Sequence, residues 1–255
     1  MSSPLRTLAI GDVHGCLDEL EELVAKVGYR PRVDRLVFVG DLVDRGPKPA
    51  EVVRYVRELA AEGDVVTILG NHEEKMLRWY RRVAEERATG AKNKMSPPAP
   101  ERLAEWDALD EADRVFVAGL PIVVEPLEGW LAVHGGFDGS PRHKQKPDKL
   151  LRCRYVDPAT GHMKSILANK QAPEGSVVWS TLWRGPENVV YGHAVHSRET
   201  PRVDRITLET RTIECWGIDT GCCFGGRLTA LCLETRETWQ VQARAAYADL
   251  GDVVE

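Results

Sequence analysis

Leu8-Ala9-Ile10-Gly11-Asp12-Val13-His14-Gly15 is a short apolar run that breaks at a glycine and then presents an aspartate and a histidine two residues apart. A run of this length, bounded by turn residues, reads as a buried strand leading into a loop. In an extended segment, residues i and i+2 point to the same side, so Asp12 and His14 share a face. Four other strand candidates end in the same way: Val39-Gly40-Asp41, Leu69-Gly70-Asn71-His72-Glu73, Val133-His134-Gly135-Gly136 and Tyr191-Gly192-His193. Between the first of these lie helical patterns. Leu17, Leu20, Leu23, Val24 and Val27 fall on one face, a second helix is expected from Ala50 to Ala61, and a charged one from Glu73 to Glu86. Strands alternating with helices are the signature of βαβ units and an α/β fold.

The pattern breaks between Thr89 and Pro100, where Gly90, Pro97, Pro98 and Pro100 predict an exposed, mobile loop. Lys144 to Gly175 is polar and irregular. The expected organisation is one domain over 1–246 with loop-rich insertions near 87–112 and 138–178, followed by an acidic tail at 247–255. Three strand-like runs, Thr212–Trp216, Leu228–Leu233 and Thr238–Val241, are expected to form an antiparallel second sheet. Hydrophobic residues make up 43% of the 255 residues, charged ones 29%, and the net charge is −5. That balance fits a globular protein and argues against a dedicated nucleic-acid binder. No apolar run approaches membrane-spanning length, and no leader precedes the first strand, so a cytoplasmic location without membrane partners is expected. Six cysteines lack any Cys-x-x-Cys pair and read as small buried hydrophobes rather than a thiolate zinc site.

In open α/β sheets, ligands collect at the carboxyl ends of the strands. Any one Gly-Asp or lone histidine is usually structural, but five such strand ends in series point to convergence at one edge. Asp12, His14, Asp41, Asn71, His134 and His193 are nitrogen and oxygen donors without sulfur, a set suited to manganese, iron, cobalt or zinc rather than calcium. Asp41 has two oxygens with which to bridge two ions. A pair of divalent cations is the equipment of phosphoester and phosphoanhydride hydrolysis.

The order GDVHG, GDLVDRG, GNHE, HGG and GH resembles the calcineurin-like metallophosphoesterases, in the branch of the phosphoprotein phosphatases and the ApaH-type symmetrical diadenosine tetraphosphatases. The run Ile218–Thr229 is similar to the DTGCCWGG segment of the ApaH-type enzymes, and Leu151-Arg152-Cys153-Arg154-Tyr155 to their TRMRF segment. The resemblance implies a four-layer α/β/β/α sandwich. It implies one metal on Asp12, His14 and Asp41, and a second on Asp41, Asn71, His134 and His193, with Mn2+ the expected ion and Co2+, Fe or Zn2+ as substitutes. It implies that His72 protonates the leaving oxygen, with Asp44 holding its ring and keeping it cationic. Arg45 would clamp the phosphate with its planar fork, Arg184 would be a second clamp, and Arg152 and Arg154 would meet a polyphosphate farther along. Trp79, Trp106 and Trp183 read as core residues, and Lys144, Lys146 and Lys149 as solvated. His143 and His162 read as incidental, and His196 as a minor candidate for the site.

The expected substrate is a nucleotide polyphosphate, with symmetrical cleavage of diadenosine tetraphosphate to two ADP. Asp44 and Glu73 give the VDRG and GNHE forms of the protein phosphatases, which leaves a serine/threonine phosphatase acting on a phosphoprotein as the alternative. A metal-bound regulatory module without turnover is the third reading, and the intact set of ligands, acid and clamp argues against it.

Overall fold

The computed structural model describes residues 5–166, 171–209 and 211–249. The tail expected at 247–255 lies outside the described residues from 250 onward. In chain order the elements are β1 (Thr7–Ile10), α1 (Leu17–Lys26), β2 (Arg35–Phe38), α2 (Pro49–Glu62), β3 (Asp64–Thr67), α3 (Asn71–Thr89), α4 (Pro100–Asp107), α5 (Glu111–Ala118), β4 (Val123–Leu127), β5 (Trp130–Val133), α6 (Pro147–Arg152), β6 (Tyr155–Val156), β7 (Met163–Lys164), β8 (Val177–Val178), β9 (Asn188–Tyr191), β10 (Arg202–Thr207), β11 (Thr212–Gly217), β12 (Arg227–Cys232) and β13 (Thr238–Gln242).

Side chains alternate across a strand, and here both faces are apolar, so each strand serves two layers. In β1, Leu8 and Ile10 pack towards α1 and α2, while Ala9 faces the other way. Leu36 and Phe38 of β2 repeat the first direction and Val37 the second. Ala9, Val37 and Leu231 meet Trp130, Ala132 and Val190 in the layer between two five-stranded sheets. The first sheet has the order β13-β12-β1-β2-β3 and the second β10-β11-β9-β5-β4. Behind the second sheet, Leu131, Val133 and Tyr191 pack on Phe137, Cys153 and Trp179. The architecture is therefore α/β, with two facing sheets between outer layers. The layer behind the second sheet is built of α6, two 3-10 turns and a small sheet, β7-β6-β8.

Strands β1, β2 and β3 run parallel, as do β5, β9 and β11. Their carboxyl ends supply the site. The three C-terminal runs do not form one antiparallel sheet. β11 pairs in parallel with β9 in the second sheet, whereas β12 pairs antiparallel with β1 in the first and carries β13 at its edge. All three runs read as strands, but nothing local in them names the partner sheet.

Residues 90–99, within the loop expected between Thr89 and Pro100, carry no helix or strand, and two helices that were not expected follow them: α4 inside the insertion expected near 87–112 and α5 from its end. Pro100 begins α4, a position where its fixed φ and missing N–H cost nothing. Asp110 and Asp113 cap α5 reciprocally, each side chain accepting the other's backbone N–H at 2.8 and 3.1 Å. Among the described residues, no helix is long and apolar enough to cross a membrane.

Candidate metal centre and phosphate cleft

Each sheet delivers part of one buried cluster. The first sheet brings Asp12, His14, Asp41 and Asn71, and the second brings His134 and His193; every one of these residues is buried. The two sheets are joined at this edge by direct hydrogen bonds. His134 Nδ1 lies 2.8 Å from the carbonyl of Val39, and the backbone N–H of His193 donates to Asp12 Oδ2 at 2.9 Å. Asn71 Oδ1 sits 2.9 Å from His134 Nε2 and 2.8 Å from His193 Nδ1.

Asp41 is at the centre. Its Oδ2 lies 3.4 Å from His14 Nε2, 3.3 Å from His134 Nε2 and 4.0 Å from His72 Nε2. Two groups of ligand atoms, each within 4.8 Å of one another, share this carboxylate: His14, Asp41 and His72, and Asp41, His134 and His193. Burial raises the pKa of Asp12, with the nearby Asp219 carboxylate adding to the shift. Burial lowers His14 and His193, aided by Arg45 and Arg154 respectively. At His134 the pull of Asp41 overcomes burial and lifts the imidazole to about 10. Buried carboxylates and imidazoles in one cluster, with Asp12 Oδ1 lacking any hydrogen-bond partner, fit divalent cations: oxygen and nitrogen donors converge and uncompensated anionic oxygen remains.

The loops that present these groups are strained. Among the described residues, seven other than glycine have positive φ, and five of them are His14, Asp41, Asp44, Arg45 and His193. Each such conformation costs about 1–3 kcal/mol and persists where the surroundings over-determine it.

His72 is the second residue of α3, whose start two residues earlier than expected places Asn71 and His72 in its first turn. The Nδ1 of His72 lies 2.5 Å from Asp44 Oδ2, while its backbone N–H donates to Asp41 Oδ1 at 3.0 Å. Burial is the largest influence on this ring and, with Arg45, outweighs the pull of Asp41, lowering it to about 4. Arg45 Nη1 reaches His14 Nε2 at 2.5 Å, and its guanidinium lies 5.1 Å from the ring centre of Phe224.

A cleft of about 140 Å³ borders the cluster, lined by Arg45, Arg154, Tyr155, His193, His196 and Phe224 among others. Arg154 Nη2 donates to the carbonyl of His193 at 3.1 Å. The four arginines expected at the substrate therefore divide. Arg45 and Arg154 line this cleft. Arg152 instead pairs with Glu74 at 2.7 Å and Asp148 at 2.9 Å. Arg184 is exposed, donates to the carbonyl of Trp183 at 2.8 Å, and lines a separate cavity of about 500 Å³ with Trp183 and Phe137. Lys149 is paired with Asp138.

Four residues that serve the site were not singled out by sequence reasoning for the part they play. Glu73 accepts backbone N–H groups from the Asp41–Val43 loop. Trp106, expected to be a core residue, is buried and also donates to Asp44, as does Arg102. Asp219 lies buried just past the end of β11 and lines the cleft, in the same position relative to its strand as the candidate ligands. The Thr212–Trp216 run followed by Ile218-Asp219 was the available signal.

A profile of the calcineurin-like phosphoesterase family matches residues 5–216. The chain is 30% identical to an asymmetrical bis(5'-nucleosyl)-tetraphosphatase of Anoxybacillus flavithermus, covering 93% of this chain and 94% of that one. It is 29% identical to a symmetrical bis(5'-nucleosyl)-tetraphosphatase of Klebsiella pneumoniae, covering 98% and 99%. A crystal structure of a candidate diadenosine tetraphosphatase superposes with a TM-score of 0.71 at 25% identity, covering 94% and 96%.

Proposed function

The chain belongs to the calcineurin-like phosphoesterase family, and from that premise we propose that it hydrolyses dinucleoside tetraphosphates, cleaving diadenosine tetraphosphate symmetrically to two ADP. The observation that carries this reading is the meeting of donors from both sheets around Asp41, beside a cleft lined by Arg45 and Arg154. In this reading, Asp12, His14, Asp41, Asn71, His134 and His193 hold two divalent cations, with Mn2+ the expected pair. Once bound, the cations would neutralise charge on the phosphoryl oxygens and acidify the attacking water.

The protein's own groups do the rest. Arg45 and Arg154 grip the phosphate chain as charge-assisted donors. Asp44 accepts the Nδ1–H of His72 and leaves Nε2 facing Asp41; the negative charge of a bound phosphate chain favours a second proton at Nε2, and that proton passes to the departing oxygen. Arg152 and Arg184 fit this scheme less well, since one is held by two carboxylates and the other lines a different cavity. Six buried free thiols suit a reducing compartment and support placement in the cytoplasm.

Glu73 and Asp44 are the two features shared with the protein phosphatases. Glu73 turns to the backbone of the Asp41 loop and Asp44 to His72, and neither is among the lining residues of the cleft. They speak for the shared chemistry rather than for the substrate. Asymmetrical cleavage to ATP and AMP is the second reading, favoured by the likeness to the Anoxybacillus enzyme.

Chromatography of the products from diadenosine tetraphosphate, with Mn2+ present, separates these readings. ADP alone is the expected result. Equal ATP and AMP would move the cleavage site, and turnover of a phosphoserine peptide without dinucleotide cleavage would overturn the substrate assignment.

A further inference from the structure

Asp44 holds more donors than a carboxylate needs to orient one ring. His72 Nδ1 and Arg102 Nη2 both reach Oδ2, and Trp106 Nε1 donates to Oδ1 at 2.8 Å. Arg102 and Trp106 both come from α4, four residues apart, the spacing that puts two side chains on one helix face. Trp106 is 1% exposed, and the Arg102 guanidinium lies 4.9 Å from the centre of its ring, so the two side chains brace each other. A buried indole N–H must find an acceptor, and the acceptor it finds is Asp44. Asp44 itself sits at φ 69°, a conformation that needs outside support in a residue other than glycine.

We propose that Arg102 and Trp106 are positioning residues for proton transfer: from α4 they pin both oxygens of Asp44, and through Asp44 they fix the ring of His72 with Nε2 facing the centre. The inference rests on His72 being the proton donor. It assigns work to a segment that supplies no metal ligand, so metal binding and proton delivery are separable. Removing Trp106 frees Oδ1 and removing Arg102 leaves Oδ2 to His72 alone; either change loosens the carboxylate, lets the ring of His72 turn, and leaves the ligands of both sheets in place.

The experiment uses the full chain in two arms. In the first, proton NMR of the zinc-loaded protein observes the downfield resonance of the His72 Nδ1–H, identified by its loss in His72→Asn. Arg102→Ala and Trp106→Phe are expected to broaden or abolish this signal, and Arg102→Lys to retain it. In the second arm, turnover of diadenosine tetraphosphate with Mn2+ is expected to show kcat roughly 10- to 100-fold lower in Arg102→Ala and Trp106→Phe, partly restored in Arg102→Lys. KM and bound metal should stay unchanged. An unaltered resonance and kcat in both variants would overturn the proposal, as would parallel loss of metal, which marks a purely structural role. If His72→Asn turns over normally, the proton-donor assignment fails and takes the inference with it. If only His72→Asn is impaired, the inference alone fails. The NMR arm needs no turnover, so an error in the substrate reading leaves it intact.

Discussion

The carboxylate of Glu73 accepts hydrogen bonds from the backbone N–H groups of Asp41, Leu42, Val43 and Gly70 at 3.0, 2.7, 3.0 and 3.0 Å. It holds the strained loop that presents Asp41 and caps the start of α3 in the same act. Glu73→Gln keeps the shape but turns an amide NH2 towards N–H donors. Stability should fall by about 1–3 kcal/mol, the usual cost of leaving buried donors unsatisfied, read as a lower urea midpoint; an unchanged midpoint would remove Glu73 from this role. His196 makes a second prediction, from its titration. Burial is the chief cause of its lowering to about 4, with Arg202 and Arg154 adding to it and Asp204 opposing. A histidine depressed in the folded state is neutral there while the unfolded chain takes up a proton, so its contribution is present above about pH 6.5 and is lost as pH falls towards 4. The loss should be on the order of 2–3 kcal/mol over that window. His196→Gln should flatten this limb of the stability curve, and an equally steep acid limb in the variant would sink the assignment.

At the scale of elements, the strand ends work because glycine lets neighbours come close. A Cβ on Gly192 would collide with Oδ1 of Asp12, which belongs to the opposite sheet. Gly192→Ala should therefore displace Asp12 and press on Val39 of the core beside it, weakening Mn2+ binding by roughly 10- to 100-fold in calorimetric titration while circular dichroism stays unchanged. Wild-type affinity in the variant would show that this approach does not matter. These strands were legible because β1, β2, β5 and β9 are apolar on both faces, and a polar residue after such a run is conspicuous. Asp219 was passed over as a ligand-like group because two residues, Gly217 and Ile218, separate it from the Thr212–Trp216 run. The α4 helix was hidden by Pro97, Pro98 and Pro100, which read as loop, although the last of them starts the helix. The arginines could not be sorted from the sequence, because Arg152 and Arg154 differ only in their partners: Glu74 and Asp148 for one, the His193 carbonyl for the other. Such long-range pairings leave no local pattern.

Across the whole molecule, the proposed ligand set straddles the interface between the sheets, with Asp12, His14, Asp41 and Asn71 on one side and His134 and His193 on the other. A cation held by both groups links the sheets at the edge where the apolar layer between them stops. Unfolding separates these residues, so metal that binds only the folded chain stabilises it in proportion to RT ln(1 + [L]/Kd). At a free Mn2+ concentration of 100 Kd this amounts to about 2.7 kcal/mol for one site. In a chain of this length, that corresponds to a rise of roughly 5–10 °C in melting temperature over a chelator-treated sample. Asp41 is common to both groups of ligand atoms, so Asp41→Asn should remove the rise and the bound metal together, with activity lost alongside. Arg184→Ala, which changes an exposed residue in another cavity, should keep the full shift. A wild-type melting temperature indifferent to Mn2+, or an Asp41→Asn variant that still gains the whole increment, would mean that the cluster does not hold metal across the two sheets.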